Sequence, residues 1–207
     1  MKIEGEYTFD GPREEVWEVV RDPEILATAL PGTQSLEQVS ENEYQGEMHV
    51  RIGPVAGLFS GRVVISDEVP PESLTMTVEG KGKPGFVKGT GSVQLIPQEA
   101  DKTLMQYQGD MQLGGRLASV GQRMMDSVSK SLLKQGLDSL NQALQARQTS
   151  QTTGEQVEYK PPSESEFAAS VAKDIAGEVF SSRRVLWIAG AVVIIIIILA
   201  VVLLNPG

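Results

Sequence analysis

Side chains able to carry out chemistry are scarce in this chain of 207 residues. Cysteine is absent, which excludes disulfides, thiolate nucleophiles and thiolate metal sites. The single histidine, His49, alternates with apolar neighbours along a predicted strand, so its imidazole is expected on the outer face. Three carboxylates lie at predicted strand ends or on the polar face and are expected to be solvated: Asp67, Glu68 and Asp110. Acid–base catalysis therefore has few candidate groups, and no motif with metal-ligand spacing occurs.

The formal net charge of −9 limits the classes of partner. Residues 145–207 contain five Lys/Arg and six Asp/Glu, so most of the negative charge lies in the first two thirds of the chain. Nucleic-acid binding requires clustered Lys and Arg to neutralise phosphates, so we expect no nucleic-acid partner. The same charge disfavours electrostatic docking on anionic lipid.

Hydrophobic periodicity predicts an α+β domain. Residues 2–9 alternate as a half-buried strand, and two short helices follow at 13–21 and 23–30, with Asp10 near the start of the first. Alternation then predicts six more strands, at 33–39, 44–52, 58–69, 73–80, 87–97 and 104–113. Short connections between them indicate an antiparallel meander. Residues 116–144 carry apolar side chains at helical spacing and predict one long helix, which a curved seven-stranded sheet can enclose.

Methionine and glycine recur on the predicted inner face of this sheet. Methionine adapts to varied apolar shapes, and glycine removes volume, so the pattern predicts an elongated apolar cavity. The predicted ligand-binding residues are Met48, Val50, Phe59, Val63, Met76, Val78, Met105, Tyr107, Met111, Met124 and Val128. Tyr7, Tyr44 and Tyr107 could supply a polar contact for a carbonyl or hydroxyl. An alternative interpretation is that methionine only fills gaps in a solid core.

The longest apolar run begins at Val185 and ends at Leu204. About 20 residues at about 1.5 Å rise match the hydrocarbon core of a bilayer, which is about 30 Å thick. Arg183 and Arg184 precede the run, and Trp187 lies about one turn inside it, where an interfacial aromatic is expected. The positive-inside rule then predicts a single-pass protein of the cell membrane with its N-terminal domain in the cytoplasm.

Composition divides the chain into four predicted segments. Residues 1–144 form the folded domain, and residues 145–166 form a flexible polar linker rich in Gln, Thr, Ser and Glu. Residues 167–182 form an amphipathic juxtamembrane segment, and residues 183–207 contain the membrane anchor.

Several local strings occur in a fixed order along residues 1–144: Leu30-Pro-Gly32, Ile52-Gly-Pro54, Gly57-Leu-Phe-Ser-Gly-Arg-Val63, Thr103-Leu-Met-Gln-Tyr107 and Gly114-Gly-Arg-Leu-Ala-Ser-Val-Gly-Gln-Arg123. Their order and spacing resemble the carbon monoxide dehydrogenase CoxG family of the START-like (SRPBCC) superfamily. The resemblance implies a helix-grip fold. The chain departs from the family pattern at Gln135-Gly136, where relatives often carry aromatic residues.

This resemblance implies a small accessory protein rather than an enzyme. Such a protein would help recruit a molybdenum hydroxylase, such as carbon monoxide dehydrogenase, to the cytoplasmic membrane. It would bind a lipophilic quinone or another lipid non-covalently in the helix-grip cavity, with membrane lipid as a further partner and no covalent cofactor or metal. Two alternatives remain open: a docking module without a ligand, and a small-molecule enzyme, because some START-like relatives catalyse cyclisations or hydrations.

Overall fold

The structure is a computed structural model that describes residues 1–30, 32–52 and 55–153. Its strands are β1 (Lys2–Phe9), β2 (Thr33–Ser40), β3 (Glu43–Ile52), β4 (Val55–Val69), β5 (Ser73–Gly82), β6 (Gly85–Gln98) and β7 (Lys102–Gly115). Its helices are α1 (Arg13–Arg21), α2 (Pro23–Ala29) and α3 (Gln122–Thr153), with a 3-10 turn at Arg116–Val120. The predicted strands and short helices are therefore confirmed, with boundaries that differ by a few residues.

All seven strands form one sheet in the order β1-β7-β6-β5-β4-β3-β2. Each neighbouring pair is antiparallel, and successive hairpins connect β2 to β7. The first strand pairs with the last, so β1 and β2 form the two edges of the sheet. The inner face of this curved sheet packs against the helices, as the alternation of apolar residues predicts.

The two short helices begin in different ways. Asp22 caps α2, because its Oδ1 accepts hydrogen bonds from the backbone N–H groups of Glu24 and Ile25 at 2.9 and 3.2 Å. Pro12 occupies the N-cap of α1 and makes no side-chain cap. The expectation that Asp10 serves the start of α1 is therefore wrong. Its carboxylate instead accepts hydrogen bonds from β7 and from α3, which tie the end of β1 to both.

The long helix starts later than predicted. Residues 116–120 form the 3-10 turn, and Gly121 follows with φ of 91°, a conformation that interrupts α-helical geometry. Helical periodicity therefore cannot be extrapolated across Gly121, and the apolar face of α3 is rotated from its predicted position. Met125 is buried in place of the predicted Met124, which is only partly buried.

Helix α3 also ends later than predicted, at Thr153 rather than Leu144. The first part of the predicted linker, residues 145–153, is thus helical. Within the described ranges, no helix is long and apolar enough to cross a membrane. The predicted juxtamembrane segment and the predicted anchor, with Arg183, Arg184, Val185, Trp187 and Leu204, lie outside the described residues.

Candidate functional site

An apolar cavity of about 260 Å³ lies on the inner face of the sheet, over strands β2 to β6. Its walls are almost wholly apolar. Leu30 at the end of α2, Leu117 of the 3-10 turn and Met125 of α3 border it from the side opposite the sheet. The cavity therefore lies where the helices cover the sheet, which is where the sequence predicts a ligand site.

Three glycines in cross-strand register line this cavity on three neighbouring strands. Gly46 of β3 pairs with Gly61 of β4, and Gly61 pairs with Gly80 of β5. A Cβ atom added to Gly80 would meet no atom closer than Val87 Cβ at 4.0 Å, and one added to Gly61 would meet only carbonyl oxygens at 3.6 and 4.0 Å. The space above Gly61 and Gly80 is therefore empty, and the missing side chains create the cavity.

Larger side chains flank the glycine row on both sides. One flanking row runs across β2, β3 and β4 as Thr33, Met48 and Phe59. The other runs across β3, β4 and β5 as Tyr44, Val63 and Val78. Because side chains of neighbouring strands lie about 5 Å apart, each row forms a continuous wall.

The second wall is held in place from behind. Tyr44 is 4% exposed, and its hydroxyl donates to the Arg21 carbonyl at 2.9 Å and accepts from Arg21 Nη1 at 3.0 Å. Arg21 Nε lies 3.0 Å from the Glu68 carboxylate, and both side chains are largely buried. The expectation that Glu68 is solvated is therefore wrong. Burial raises the pKa of Tyr44, which keeps its hydroxyl protonated and its hydrogen bonds intact.

Five of the predicted ligand-binding residues line the cavity: Met48, Val50, Phe59, Val63 and Val78. Whether they bind a ligand stays a prediction. Residues that the sequence patterns did not assign to the site also border the cavity: Leu30, Thr33, Leu36, Leu117 and Met125. Most of them come from the edge strand β2 and from loops, where no alternation indicates which way a side chain points.

The other six predicted residues lie elsewhere, so the expectation that all of them border one cavity is corrected. Met105 and Tyr107 pack in the main core, and Met76 packs in a second cluster beside it. Met111 covers Gly89, since an added Cβ there would meet its sulfur. Met124 and Val128 belong to α3 but do not border the cavity. The gap-filling interpretation of methionine therefore holds for Met76, Met105 and Met111.

The tyrosines proposed as polar contacts are not free to serve the cavity. The Tyr7 hydroxyl donates to Asp138 Oδ1 at 2.9 Å, and burial together with this carboxylate raises the pKa of Tyr7. Tyr44 borders the cavity but directs its hydroxyl to Arg21. Tyr107 lies against Gly5 in the core, where an added Cβ would meet its ring.

The charged residues at the rim belong to the outer face. Glu47, Arg62 and Glu79 have exposed side chains, and Arg62 and Glu79 form ion pairs of 2.7 Å with Glu43 and Lys88. His49 is also exposed, as predicted. No cluster of His, Asp or Glu within the described part of the chain could hold a metal ion. The geometry is suited to enclosing an apolar group.

Comparison with known proteins gives one family and one fold. The model of the carbon monoxide dehydrogenase CoxG family matches residues 5–145. No curated protein sequence matches the chain. Among solved structures, a conserved protein from Geobacillus kaustophilus is 30% identical, with a TM-score of 0.67 over 70% of this chain and 95% of that one.

Two more distant structures share the fold alone. The Zhui aromatase/cyclase from Streptomyces sp. R1128 is 15% identical, with a TM-score of 0.56 over 71% of this chain and 94% of that one. A START superfamily protein from Mycobacterium smegmatis is 13% identical, with a TM-score of 0.54 over 70% of this chain and 97% of that one. With its seven-stranded sheet around α3 and a family match across that whole unit, the chain belongs to the carbon monoxide dehydrogenase CoxG family and has a START-like fold.

Proposed function

We propose that this protein is a membrane-anchored accessory protein that binds a lipophilic ligand, a quinone in our interpretation, between its sheet and its helices. The observation that carries the proposal is the row of Gly46, Gly61 and Gly80, which leaves an apolar space of about 260 Å³ inside an otherwise packed domain. Protein interiors contain few voids larger than a water molecule, so an apolar space of this size suggests an occupant.

The size of the cavity favours a ring. An apolar cavity of about 150 Å³ binds benzene, so a space of about 260 Å³ admits a substituted ring system. It is smaller than the roughly 300–1,000 Å³ typical of drug-sized ligand sites. In our proposal the ring of a quinone occupies the cavity, and its isoprenoid tail extends past the rim.

We propose that the apolar run at residues 185–204 spans the membrane and keeps the domain near its ligand. A quinone with a long tail partitions into the bilayer, so a binding domain gains from being tethered there. The part of the predicted linker beyond α3, residues 154–166, is polar and contains Pro161 and Pro162. A segment of this composition allows the domain to move between the bilayer and a soluble partner.

The proposed partner is a cytoplasmic molybdenum hydroxylase such as carbon monoxide dehydrogenase. Membership of the CoxG family supports this proposal, since the family is named for that enzyme. In this role the protein brings the enzyme to the membrane, where electrons from the enzyme can reach the bound quinone. The protein itself needs no catalytic group for this role.

Ligand analysis of the full chain tests the cargo. The protein is purified from its native membrane in mild detergent, and bound lipids are extracted and identified by mass spectrometry. Gly80→Leu places a side chain in the open space above the glycine row, while Thr90→Leu adds the same side chain at an exposed position of β6. We expect a quinone with the wild type and Thr90→Leu, and at least a tenfold lower yield with Gly80→Leu.

The outcomes separate the alternatives. Equal quinone yield from all three proteins would indicate lipid carried by the detergent, and the absence of any ligand would contradict the cargo proposal. If Gly80→Leu loses the ligand but still co-purifies with the partner enzyme, recruitment and ligand binding are separate functions. A docking module without ligand predicts no lipid in any of the three samples.

The anchor is tested by membrane fractionation. The double variant Ile195→Arg with Ile196→Arg places two charges near the middle of the apolar run, at roughly 2.5–3.5 kcal/mol each by insertion scales. We expect the wild type to remain with membranes after alkaline extraction and the double variant to be released. Retention of the variant would contradict the spanning helix.

A further inference from the structure

The hydroxyl of Thr33 is a polar group without a partner in the wall of the apolar cavity. Its Oγ1 is buried and makes no hydrogen bond with any residue that the structure describes. The residue borders the cavity, at the start of β2 opposite Met48. Buried polar groups in proteins are nearly always satisfied, so an exception on a cavity wall indicates a position that a ligand atom completes.

An irregularity in β2 brings this hydroxyl to the inner face. The register pairs Thr33 with Met48 and Ser35 with Glu47, so one extra residue, Gln34, lies between the two pairs. In a regular strand, Thr33 and Leu36 would point to opposite faces, because they are three positions apart. The bulge instead places both on the cavity wall. Bulges commonly re-aim a side chain next to a functional site.

The backbone around Thr33 is held firmly. Gly32 lies immediately before it with φ of 83°, and its carbonyl accepts from His49 N–H at 2.7 Å. The Thr33 N–H donates to the Leu30 carbonyl at 3.3 Å. These bonds fix the main chain on both sides and leave the hydroxyl as the group that is not used by the fold.

We propose that the Thr33 hydroxyl is the hydrogen-bonding anchor of the ligand, which is therefore a compact apolar ring system carrying a carbonyl or hydroxyl oxygen, and not a plain hydrocarbon. This inference rests on the proposed binding function of the same cavity. A threonine hydroxyl donates to a carbonyl oxygen and accepts from a hydroxyl. It can therefore bind a quinone and the corresponding quinol through the same oxygen position.

The wall opposite Thr33 supplies no competing anchor among the described residues. Tyr44 borders the cavity, but Arg21 occupies its hydroxyl on both the donor and the acceptor side. The remaining contacts of a ring would be with Met48, Phe59 and Val63, which select for shape and not for polarity. Discrimination between an oxygen-bearing ring and a hydrocarbon therefore depends on Thr33.

Two probes that differ only in oxygen test this role. The full chain in lipid nanodiscs is titrated calorimetrically with 2-methyl-1,4-naphthoquinone and with 2-methylnaphthalene, using empty nanodiscs as the blank. Thr33→Val keeps the side-chain shape and removes the hydroxyl, and Thr33→Ser keeps the hydroxyl. Thr90→Val makes the same chemical change on the exposed face of β6.

We expect Thr33→Val to weaken binding of the naphthoquinone about tenfold, which is about 1.4 kcal/mol, while its affinity for methylnaphthalene stays within twofold of wild type. Thr33→Ser and Thr90→Val should bind both probes as the wild type does. Without ligand, Thr33→Val should also have a higher melting midpoint, because it no longer buries an unpartnered hydroxyl. If this variant does not fold, Thr33→Ala replaces it in the same comparison.

Two results would overturn the inference, and they are distinguishable. If the wild type binds both probes and Thr33→Val changes neither or weakens both equally, the anchor is wrong and the cavity function stands. If the wild type binds neither probe, the proposed function fails and the anchor fails with it.

Discussion

Two regions of one sheet face the same helix and differ in how they are filled. Around β1, β6 and β7, large side chains pack solidly: Phe9, Leu95, Met105, Leu140 and Leu144, none more than 5% exposed. Over β3, β4 and β5, the corresponding inward positions include the paired glycines Gly46, Gly61 and Gly80. The two regions show the same alternation of inner and outer residues, so alternation alone does not distinguish a core from a cavity.

The difference depends on what covers each glycine. Gly89 and Gly91 also point inward, but Met111 covers the first and Met76 lies against the second, where an added Cβ would be 3.7 Å from its Cγ. Nothing comparable covers Gly61 or Gly80 among the described residues. A glycine on a sheet therefore creates a cavity only when no long side chain from the next row occupies its space.

The largest expected effect is the loss of a large side chain from the filled region. Phe9 is fully buried, so Phe9→Ala should lower the free energy of unfolding by about 3–5 kcal/mol. Phe59→Ala should cost roughly 1 kcal/mol less, because one side of Phe59 already faces the cavity and has fewer contacts to lose. Urea unfolding of the full chain in detergent, followed by circular dichroism, measures both. Equal costs would mean that the cavity is filled in solution.

Two glycine substitutions on neighbouring strands give the next largest contrast. Gly89→Ala should destabilise the protein by about 1–3 kcal/mol, because the added methyl group meets Met111 and the Asp110 carbonyl. Gly80→Ala should be neutral or stabilising by about 0.4–1 kcal/mol, because its methyl group enters open space and the unfolded chain loses entropy. The same unfolding measurement decides between them, and destabilisation by Gly80→Ala would contradict an open cavity.

The ion pair behind the cavity wall should matter more than one on the surface. Arg21 and Glu68 are 17% and 20% exposed, so Glu68→Gln should lower the free energy of unfolding by about 1–3 kcal/mol. It should also weaken ligand binding, since Arg21 positions Tyr44. The exposed i,i+4 pair of Lys134 and Asp138 is the control, and breaking it with Lys134→Gln should cost at most about 0.5 kcal/mol. Equal effects on stability would show that the buried pair has no special role.

The smallest expected effect is a pH dependence in the filled region. The hydrogen bond from Lys102, followed by that from Asn141, lowers the pKa of Asp10 below its usual value of 3.8. The folded state therefore binds the proton more weakly than the unfolded state, so the added stability is present above pH of about 4 and is lost as the pH falls through the lowered pKa. Its side chain is 40% exposed, so screening keeps the contribution below about 1 kcal/mol.

Unfolding measured between pH 5 and pH 2 tests this dependence. Asp10→Asn should reduce the loss of stability in that range, while Asp101→Asn, at an exposed turn, should not. If both variants lose stability like the wild type, Asp10 makes no contribution that depends on its charge. Ligand binding should change little with Asp10→Asn, because Asp10 lies outside the cavity wall.

Most of the fold could be predicted from local patterns. Period-two alternation identified every strand of the described domain, and Asp22-Pro23 and Pro31-Gly32 marked the limits of α2. The prediction was wrong where a single residue changes the backbone. Gly121 interrupts the helix before α3, and its positive φ exchanges Met124 for Met125 on the buried face. A glycine in a helical pattern does not reveal whether it adopts that conformation.

The site was predictable only in part, because its members depend on register. The inward direction of Met48, Phe59 and Val63 follows from alternation within each strand. The role of Thr33 does not, since the bulge in β2 reverses the direction that alternation predicts. The separation of the cavity methionines from the core methionines also required the pairing between strands, which no local pattern contains.

The sequence by itself determined that a seven-stranded meander precedes a long helix, that the domain is acidic and lacks cysteine, and that an apolar run follows it. Only the tertiary structure decided where that domain is hollow. Residue types specify what each strand can bury, but the alignment of Gly46, Gly61 and Gly80 in one row depends on hydrogen-bond register between strands distant in the chain. The same register decided that Thr33 reaches the empty space, and thereby placed its unpartnered hydroxyl there.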